Sequence, residues 1–528
     1  MKYIIAPSSK MREMAEGWDF RRLLNQVCCP TNARIGKQVS EFGAIFFFSG
    51  DKEVLNEEIE TFRSVCEIPP LIVTDLENGP GEMIQGSQRF PHMMGISQTN
   101  SPELAYEIGR AAALEARQIG YNWTFSPVVD QAINPDSPVV SSRSAGQRPE
   151  QIIKIAGAYM RGLQDNGMMA TIKHFPGDGY DTLDQHLTTP VNRLSQEEWL
   201  QGPGRIFREL IESGAMAVMP GHIALPAFDS PDERGIYPPA TISSALLQDL
   251  LREELGFQGL IVTDAMEMGG IAGFMNYYDA CAAALEGGCD MLLFPRIDER
   301  FYLEMERRYN EGMLTRSTLI ERASRVLSLK EQMGLFAADS SQVGDREQPD
   351  RNAISRLAER AVAESLTLVR DRAALIPFPL KRETRVLHVV IMNNFDRYTD
   401  LYDRIKYELE KCSDHVDQWV DPGPEKLFSA ALPGTYDLIL CSIGSRQDYG
   451  LNVTRLHGEV ARNMMGGWTK LGTPVIFVSH FHPFVHKEYT ASIDTMINTY
   501  GDIECTASLL VAAITGDRQI RRELVAHY

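Results

Sequence analysis

Reactive side chains follow two apolar runs of this chain. The run at 168–172 leads into K-H-F-P-G-D-G-Y-D-T-L-D-Q-H, residues 173–186, where Pro176 and two glycines exclude a continuous helix. A loop needs turn-forming residues, but it does not need a lysine, two histidines and an Asp-x-His pair. The run at 260–263 ends on a single carboxylate, Asp264. Together the two stretches predict a carboxylate nucleophile and a histidine-based proton donor.

The residue types at these positions suit proton transfer. His186 stands two residues after Asp184, and imidazole both donates and accepts protons near neutrality because it titrates at a pKa of ~6.5. A neighbouring carboxylate would fix the tautomer of the ring and support the imidazolium. The residues alone also leave purely structural interpretations open, in which Asp264 caps the next helix and His186 is an ordinary loop histidine.

Composition and charge narrow the class of protein. The 528 residues are 44% hydrophobic and 23% charged, which is typical of a globular protein long enough for two or three domains. The formal net charge of −19 argues against binding to nucleic acid or to an anionic membrane surface. No apolar run is long enough to span a bilayer, no secretion signal is evident at the N-terminus, and the eight scattered cysteines lack metal-ligand spacing. These features predict a cytoplasmic protein with reduced thiols.

Strand-like and helix-like segments alternate through the first 300 residues. Continuous apolar runs are typical of parallel strands that are buried on both faces; they occupy residues 43–48, 70–75, 123–130, 170–174, 215–222, 260–264 and 290–295. Helical patterns lie between them, for example at 102–119, 149–166 and 243–255, and 300–335 is also helical and amphipathic. This alternation indicates either a (β/α)₈ barrel or a doubly wound sheet.

Polar residues at the strand ends favour the barrel. Asp75, Asp130, Lys173 with His174, His222 and Asp264 each stand at the end of such a run. A barrel gathers these ends on one face, where the active sites of barrel enzymes lie, whereas an open sheet spreads them along an edge.

A second domain is predicted after a polar linker. Residues 1–336 are assigned to the barrel, 337–351 to the linker and 352–528 to a smaller α/β sandwich domain. The sandwich is expected to start with a helix at 352–365 and to contain strands at 385–391, 438–443 and 474–479.

Several motifs in the right order resemble glycoside hydrolase family 3, and within it the β-N-acetylglucosaminidase branch. The block N-W-T-F-S-P-V-V-D at 122–130, with S-R-S-A-G at 142–146, is similar to one family block. Residues 173–186 are similar to the family loop K-H-F-P-G-H-G…D-S-H, although Asp178 stands where that loop has histidine. Residues 251–257 and 262–268 are similar to the nucleophile block.

The resemblance implies a mechanism and a set of roles. Asp264 would be the nucleophile of a retaining reaction that passes through a covalent glycosyl-enzyme intermediate, and His186 the general acid/base oriented by Asp184. Asp75, Arg143, Lys173, His174 and His222 would be candidate sugar ligands, although His222 is also consistent with a structural histidine of the barrel rim. The expected reaction is the hydrolysis of terminal β-linked N-acetylglucosamine in the turnover of cell-wall fragments.

Other functions stay open at this stage. A β-glucosidase or β-xylosidase of the same family would take its acid/base, a glutamate, from the second domain. A phosphorylase is a further alternative, because a histidine acid/base would tolerate a phosphate nucleophile. A non-catalytic sugar-binding paralogue would need neither Asp264 nor the Asp184–His186 pair.

The expected partner is a small saccharide or glycoside, without nucleic acid or membrane, and the oligomeric state is not predicted. No metal or organic cofactor is expected. A metal site built from His174, His186 and His222 is not supported, because these residues lack the short spacing of metal ligands.

Overall fold

The computed structural model describes residues 8–35, 42–336, 350–393, 398–447, 450 and 452–526. These residues divide into two compact units. Unit 1 comprises residues 1–89, 105–131 and 148–354, and unit 2 comprises residues 90–104, 132–147 and 355–528. Residues 337–349, which make up most of the predicted linker, lie outside the described residues, and the predicted domain boundaries stay a prediction.

Unit 1 is built on eight parallel strands. In chain order they are β1 (Cys28–Cys29), β2 (Ala44–Phe46), β3 (Leu71–Thr74), β4 (Trp123–Thr124), β5 (Met169–Phe175), β6 (Ala217–Pro220), β7 (Leu260–Ala265) and β8 (Met291–Leu293). The ladder runs β1-β8-β7-β6-β5-β4-β3-β2. A parallel bridge between Thr31 and Phe46 joins its two ends, so the sheet is a nearly closed barrel, as predicted.

Helices connect the strands and cover the barrel. They are Ser9–Glu16, Phe20–Gln26, Asn32–Ile35, Lys52–Val65, Pro102–Ile119, Pro149–Asp165, Gln196–Gln201, Pro203–Glu212, Ala245–Glu254, Gly269–Ala272, Tyr277–Gly287, Glu299–Asn310 and Arg316–Gln332. Ala245–Glu254 is wound as a π-helix. The helix Pro102–Ile119 begins where the sequence predicted, with Ser101 Oγ accepting the Leu104 N–H. A capping box of Ser195 and Glu198 starts the helix Gln196–Gln201.

Alternate residues of the strands fill the barrel interior. The core includes Ala44 and Phe46 of β2, Ala217 and Met219 of β6, and Met291 of β8. Because successive side chains of a strand point to opposite faces, these rows fix which later residues face the barrel axis.

Unit 2 is an α/β sandwich, also as predicted. Its strands are β9 (Thr367–Asp371), β10 (Arg385–Ile391), β11 (His415–Val420), β12 (Leu438–Ile443), β13 (Val475–Ser479) and β14 (Thr495–Asn498). The order is β9-β14-β13-β12-β10-β11, and only β9 runs antiparallel to its neighbour. Its longer helices are Met93–Gln98, Arg351–Ser365 (whose first turn belongs to unit 1), Leu401–Glu410, Pro424–Ala430 and Thr506–Thr515. Separate hydrophobic clusters lie on the two faces of this sheet.

Candidate active site

Two carboxylates continue inward-facing rows of barrel strands. Leu71 and Val73 of β3 belong to the barrel core, so Asp75, the next residue of that row, emerges at the carboxyl end of the strand. In the same way Asp264 follows the core residue Val262 on β7. The alternation of the strands thus places both side chains at the face where barrel enzymes carry their active sites.

A buried lysine joins the carboxylate at the end of β3. Lys173 continues the row of Met169 on β5, and its side chain is only 6% exposed. Its Nζ lies 3.2 Å from Asp75 Oδ1 and 2.8 Å from Glu77 Oε1. A buried ammonium between two carboxylates is held in place by both, so this cluster offers hydrogen-bond donors and acceptors in fixed positions for a polar ligand.

A third carboxylate lies beside this cluster. Glu82 accepts a hydrogen bond from the Asn78 N–H at 3.1 Å. Its side chain is accessible to solvent, but it is crowded by protein. Desolvation in this crowded position, and then the charges of Glu77 and Asp75, raise the pKa of Glu82 to about 7.

His174 lies between a buried carboxylate and the predicted nucleophile. Its Nδ1 lies 2.7 Å from Asp130 Oδ2, and its backbone N–H donates to Asp130 Oδ1 at 3.0 Å. On the other side of the ring, Nε2 lies 3.9 Å from Asp264 Oδ2. Because Asp130 is fully buried and accepts the Nδ1 proton, it fixes the orientation of the ring, and with it the position of Nε2 beside Asp264.

The surroundings of Asp264 favour its ionised form. Burial by itself raises the pKa of Asp264, but the imidazoles of His174, His222 and His186 and the Ala265 N–H lower it by more. The net pKa therefore lies below the ordinary value for aspartate. A carboxylate that is only 13% exposed and still ionised at neutral pH is suited to act as a nucleophile.

His186 and Asp184 form the predicted pair. The Nδ1 of His186 lies 2.7 Å from Asp184 Oδ1, and the same oxygen accepts the His186 backbone N–H at 2.8 Å. Asp184 is fully buried, whereas the His186 side chain is 22% exposed. The buried carboxylate takes the Nδ1 proton and so leaves Nε2 as the ring nitrogen available for proton exchange.

The main chain holds the His186 loop against the segment after Asp264. The Gly269 N–H donates to the His186 carbonyl at 2.7 Å, and the Gly270 N–H donates to the Gln185 carbonyl at 3.0 Å. A Cβ atom on Gly269 would lie 2.2 Å from the carbonyl oxygen of Leu187. The two glycines therefore let the loop approach closely enough for both hydrogen bonds to form.

His222 is engaged within the protein through both ring nitrogens. Its Nε2 lies 3.0 Å from the Ala265 carbonyl oxygen and its Nδ1 2.7 Å from Thr241 Oγ1. Burial lowers the pKa of His222. The Nε2–H donates to the Ala265 carbonyl, and Nδ1 shares a hydrogen bond with the Thr241 hydroxyl. These contacts favour the structural role at the barrel rim over direct sugar binding, which stays a prediction.

Arg143 belongs to unit 2. It ends the short 3₁₀ turn Ser141–Arg143, and its Nη1 donates to the Val139 carbonyl at 2.9 Å. The other seven predicted site residues belong to unit 1. The assignment of Arg143 to the sugar site stays a prediction.

Sequence reasoning did not assign a role to Asp130 or Glu77. Asp130 ends an apolar run, as Asp264 does, and that shared position was the available signal. Glu77 stands two residues after Asp75, a spacing that brings both carboxylates to Lys173 in the loop after β3.

The described residues contain neither a grouped set of metal ligands nor a membrane-spanning helix. Within the part of the chain that the structure describes, no group of three or more His, Cys, Asp or Glu residues is arranged to hold a metal ion. Among the same residues, no helix has both the length and the apolar character needed to cross a membrane.

Comparison with known proteins identifies the family. The family model for the glycosyl hydrolase family 3 N terminal domain matches residues 38–329. A beta-N-acetylglucosaminidase/beta-glucosidase of Cellulomonas fimi is 30% identical over 479 residues, which cover 87% of this chain and 83% of that protein. A beta-hexosaminidase of Tolumonas auensis is 36% identical over 248 residues, or 46% of this chain and 71% of that protein. The chain belongs to glycosyl hydrolase family 3, so it is a member of a glycosidase family.

Solved structures share the fold over the whole chain. The beta-glucoside phosphorylase BglX superimposes with a TM-score of 0.89 at 26% identity and covers 100% of this chain and 97% of its own. A glycoside hydrolase family 3 beta-N-acetylglucosaminidase from Paenibacillus sp. str. FPU-7 has a TM-score of 0.82 at 24% identity, covering 97% and 99%. Both the barrel fold and the sandwich fold are therefore shared with these solved structures.

Proposed function

We propose that this protein is a retaining β-glycosidase that removes terminal β-linked N-acetylglucosamine from a small saccharide. Asp264 attacks the anomeric carbon while His186 Nε2 protonates the leaving oxygen. His186 then takes a proton from the water that releases the sugar from Asp264. Asp184 holds His186 in the required tautomer, and Lys173 with Asp75 binds sugar hydroxyls.

The observation that carries the proposal is the contrast between two carboxylates of the barrel. Asp264 faces the imidazole of His174 at 3.9 Å and has a lowered pKa, so it is ionised and able to form a covalent bond. Asp184 is fully buried and bonded to His186 Nδ1, so it orients a base and does not itself reach a substrate. This division of roles is the one that a nucleophile and a histidine acid/base require.

The choice of sugar rests on the relatives. The curated relatives described above are named for N-acetylglucosamine or hexosamine substrates, and the one that matches most of the chain is also named for β-glucosides. N-acetylglucosamine is therefore the proposed sugar and glucose its competitor.

Phosphorolysis is a second candidate. It is favoured by the full-length likeness to a beta-glucoside phosphorylase. It is also chemically consistent with the site, because a neutral imidazole does not repel a phosphate dianion as a second carboxylate would. In that reaction a phosphate oxygen replaces water, bonds to the anomeric carbon and releases Asp264, giving a sugar 1-phosphate.

One assay tests both candidates. The kcat/KM of the protein is measured on 4-nitrophenyl N-acetyl-β-glucosaminide and on 4-nitrophenyl β-glucoside, each with and without inorganic phosphate. Phosphorus NMR detects any sugar 1-phosphate, and proton NMR detects the free sugar. The proposal requires the N-acetyl substrate to have the higher kcat/KM and to give free sugar. A higher value on the glucoside would overturn the sugar assignment, and a sugar 1-phosphate as main product would replace hydrolysis by phosphorolysis.

A further inference from the structure

A buried pair of side chains joins the two ends of the loop that carries His186. Gln185 Nε2 donates to Asp178 Oδ2 at 3.4 Å, and the two residues are 1% and 2% exposed. Both positions depart from the family loop K-H-F-P-G-H-G…D-S-H, which has histidine where this chain has Asp178 and serine where it has Gln185. The two side chains that differ from the family loop therefore contact each other.

Gln185 also reaches the neighbouring barrel strand. Its Oε1 accepts the backbone N–H of His222 at 2.9 Å, beyond the end of β6. The space for this contact depends on Gly221, where a Cβ atom would lie 2.7 Å from Gln185 Oε1. Gln185 stands between Asp184 and His186 in the chain. Its two side-chain hydrogen bonds, to Asp178 and to the His222 N–H, therefore restrain the backbone that carries both residues.

Asp178 also links its hydrogen bond with Gln185 to the carboxylate that orients His174. Its backbone N–H donates to Asp130 Oδ1 at 2.8 Å, and Asp130 also orients His174. Because buried hydrogen bonds are costly to leave unmade, a loop held by both Asp178 and Gln185 has few other positions available.

We propose that Gln185 and Asp178 are positioning residues that fix His186 for proton transfer, acting as a matched replacement of the serine and histidine of the family loop. The inference rests on the proposed role of His186 as acid/base. Neither residue is assigned a contact with substrate; both act through His186.

The test is an isosteric exchange at the two positions. Gln185→Glu keeps the acceptor for the His222 N–H but replaces the amide donor with an oxygen that faces Asp178. Asp178→Asn in the same protein restores a donor and an acceptor, with their direction reversed. Each single variant and the double variant are compared with the unchanged protein and with Gln196→Glu, an exposed glutamine outside the loop.

The readout is the contrast between a poor and a good leaving group. A methyl N-acetyl-β-glucosaminide needs protonation to depart, whereas a 4-nitrophenyl glycoside does not. We expect Gln185→Glu to lower kcat/KM on the methyl glycoside by about 10²-fold, the cost of roughly 1 Å of misplacement, and on the nitrophenyl glycoside by much less. The double variant should recover most of the loss on the methyl glycoside, while Gln196→Glu should change neither value.

Three results would overturn the inference. Equal slowing of both substrates by Gln185→Glu would mean that the residue only supports the fold. A double variant no better than Gln185→Glu would mean that the two positions are not matched, and an unchanged Gln185→Glu would mean that the contact is dispensable. If the exchanged proteins fail to fold, Asp178→His with Gln185→Ser, which installs the family pair, is measured in the same way and has to keep the contrast of the unchanged protein.

His186→Ala in the same assay separates this inference from the proposed function. If His186→Ala slows both substrates equally, the acid/base assignment fails and the positioning role fails with it. If His186→Ala slows the methyl glycoside selectively and Gln185→Glu does not, only the positioning role is wrong.

Discussion

The two units of the molecule use their histidines in opposite ways. In unit 1, His174 and His186 each place Nδ1 2.7 Å from a buried carboxylate, Asp130 and Asp184. In unit 2, His388 and His480 lie on either side of Ser442, whose Oγ is 2.9 Å and 3.1 Å from their Nε2 atoms. A carboxylate partner stabilises the imidazolium, whereas a hydroxyl partner does not.

The protonation of the unit 2 histidines follows from their partners. Gln418 Oε1 can only accept, so His388 Nδ1 donates to it at 3.0 Å and Nε2 accepts from Ser442. Ser442 then accepts from His480 Nε2. Burial lowers the pKa of His388 to about 4 and that of His480 to about 3. These rings are therefore neutral supports of the sheet, and histidine alone does not mark a proton-transfer site; its partner does.

Among the substitutions that test this contrast between the two units, the largest loss of turnover is expected at Asp264. Asp264→Asn removes the covalent step, so turnover of a 4-nitrophenyl glycoside should fall by roughly 10⁴-fold. Circular dichroism should show that the fold is unchanged. A variant with near wild-type turnover would remove Asp264 from the mechanism.

The next largest effect concerns the carboxylate-paired His186. His186→Ala should slow a glycoside with an alkyl or sugar aglycone by about 10²–10⁴-fold, the usual contribution of general acid catalysis, and a nitrophenyl glycoside far less. Asp184→Asn should give the same pattern more weakly, because it disturbs only the orientation and basicity of the ring. If both aglycones are slowed slightly and equally, His186 binds substrate and the acid must be sought among the carboxylates of residues 352–528.

A smaller effect on catalysis is expected at Asp130. Asp130→Asn keeps the shape of the side chain but weakens its hold on His174, so kcat should fall by about 10²-fold through misplacement beside Asp264. The matched control is Asp136→Asn, because the Asp136 carboxylate is 43% exposed and pairs with Arg455. Equal kcat values for the two variants would contradict the proposed role of Asp130.

The smallest effect on catalysis is expected in unit 2, where the consequence is on stability. His388 has a folded pKa of about 4, below the unfolded value of 6.5, so its contribution to stability is complete above pH 6.5 and is lost as the pH falls toward 4. His388→Gln should leave turnover unchanged. It should also reduce the slope of unfolding free energy against pH in this range, by up to about 1.4 kcal/mol per pH unit for one proton. Denaturant unfolding at pH 4.5–6.5 measures this slope, and an unaltered slope would show that the histidine titrates normally.

The main lines of the fold were predictable because the barrel strands are apolar on both faces. Seven of its strands overlap predicted runs, and in the sandwich the strands 385–391 and 438–443 were predicted to the residue. The first barrel strand was missed because it is only two residues long, Cys28–Cys29, and gives no periodic signal. Three sandwich strands were missed. Strands 367–371 and 415–420 are only partly buried and carry several polar residues, and strand 495–498 is buried but only four residues long.

The site was predictable where a residue type is unusual for its place and not where the contact depends on folding. An Asp-x-His pair in a loop is conspicuous in the sequence. By contrast, Asp130 and His174 are 44 residues apart, and only the adjacency of β4 and β5 in the barrel brings them together. The contact of Gln185 with the His222 N–H likewise depends on the pairing of β5 with β6.

The attachment of the His186 loop through main-chain atoms bears on which of its residues can vary. The hydrogen bonds from Gly269 and Gly270 do not depend on the side chains of the loop. Leu183 and Leu187, which are 37% and 50% exposed, can therefore be exchanged while the hydrogen bonds from Gly269 and Gly270 to the loop stay in place. Variation at these two positions, in nature or in a directed library, therefore changes the exposed surface of the loop while its main-chain attachment keeps His186 in place.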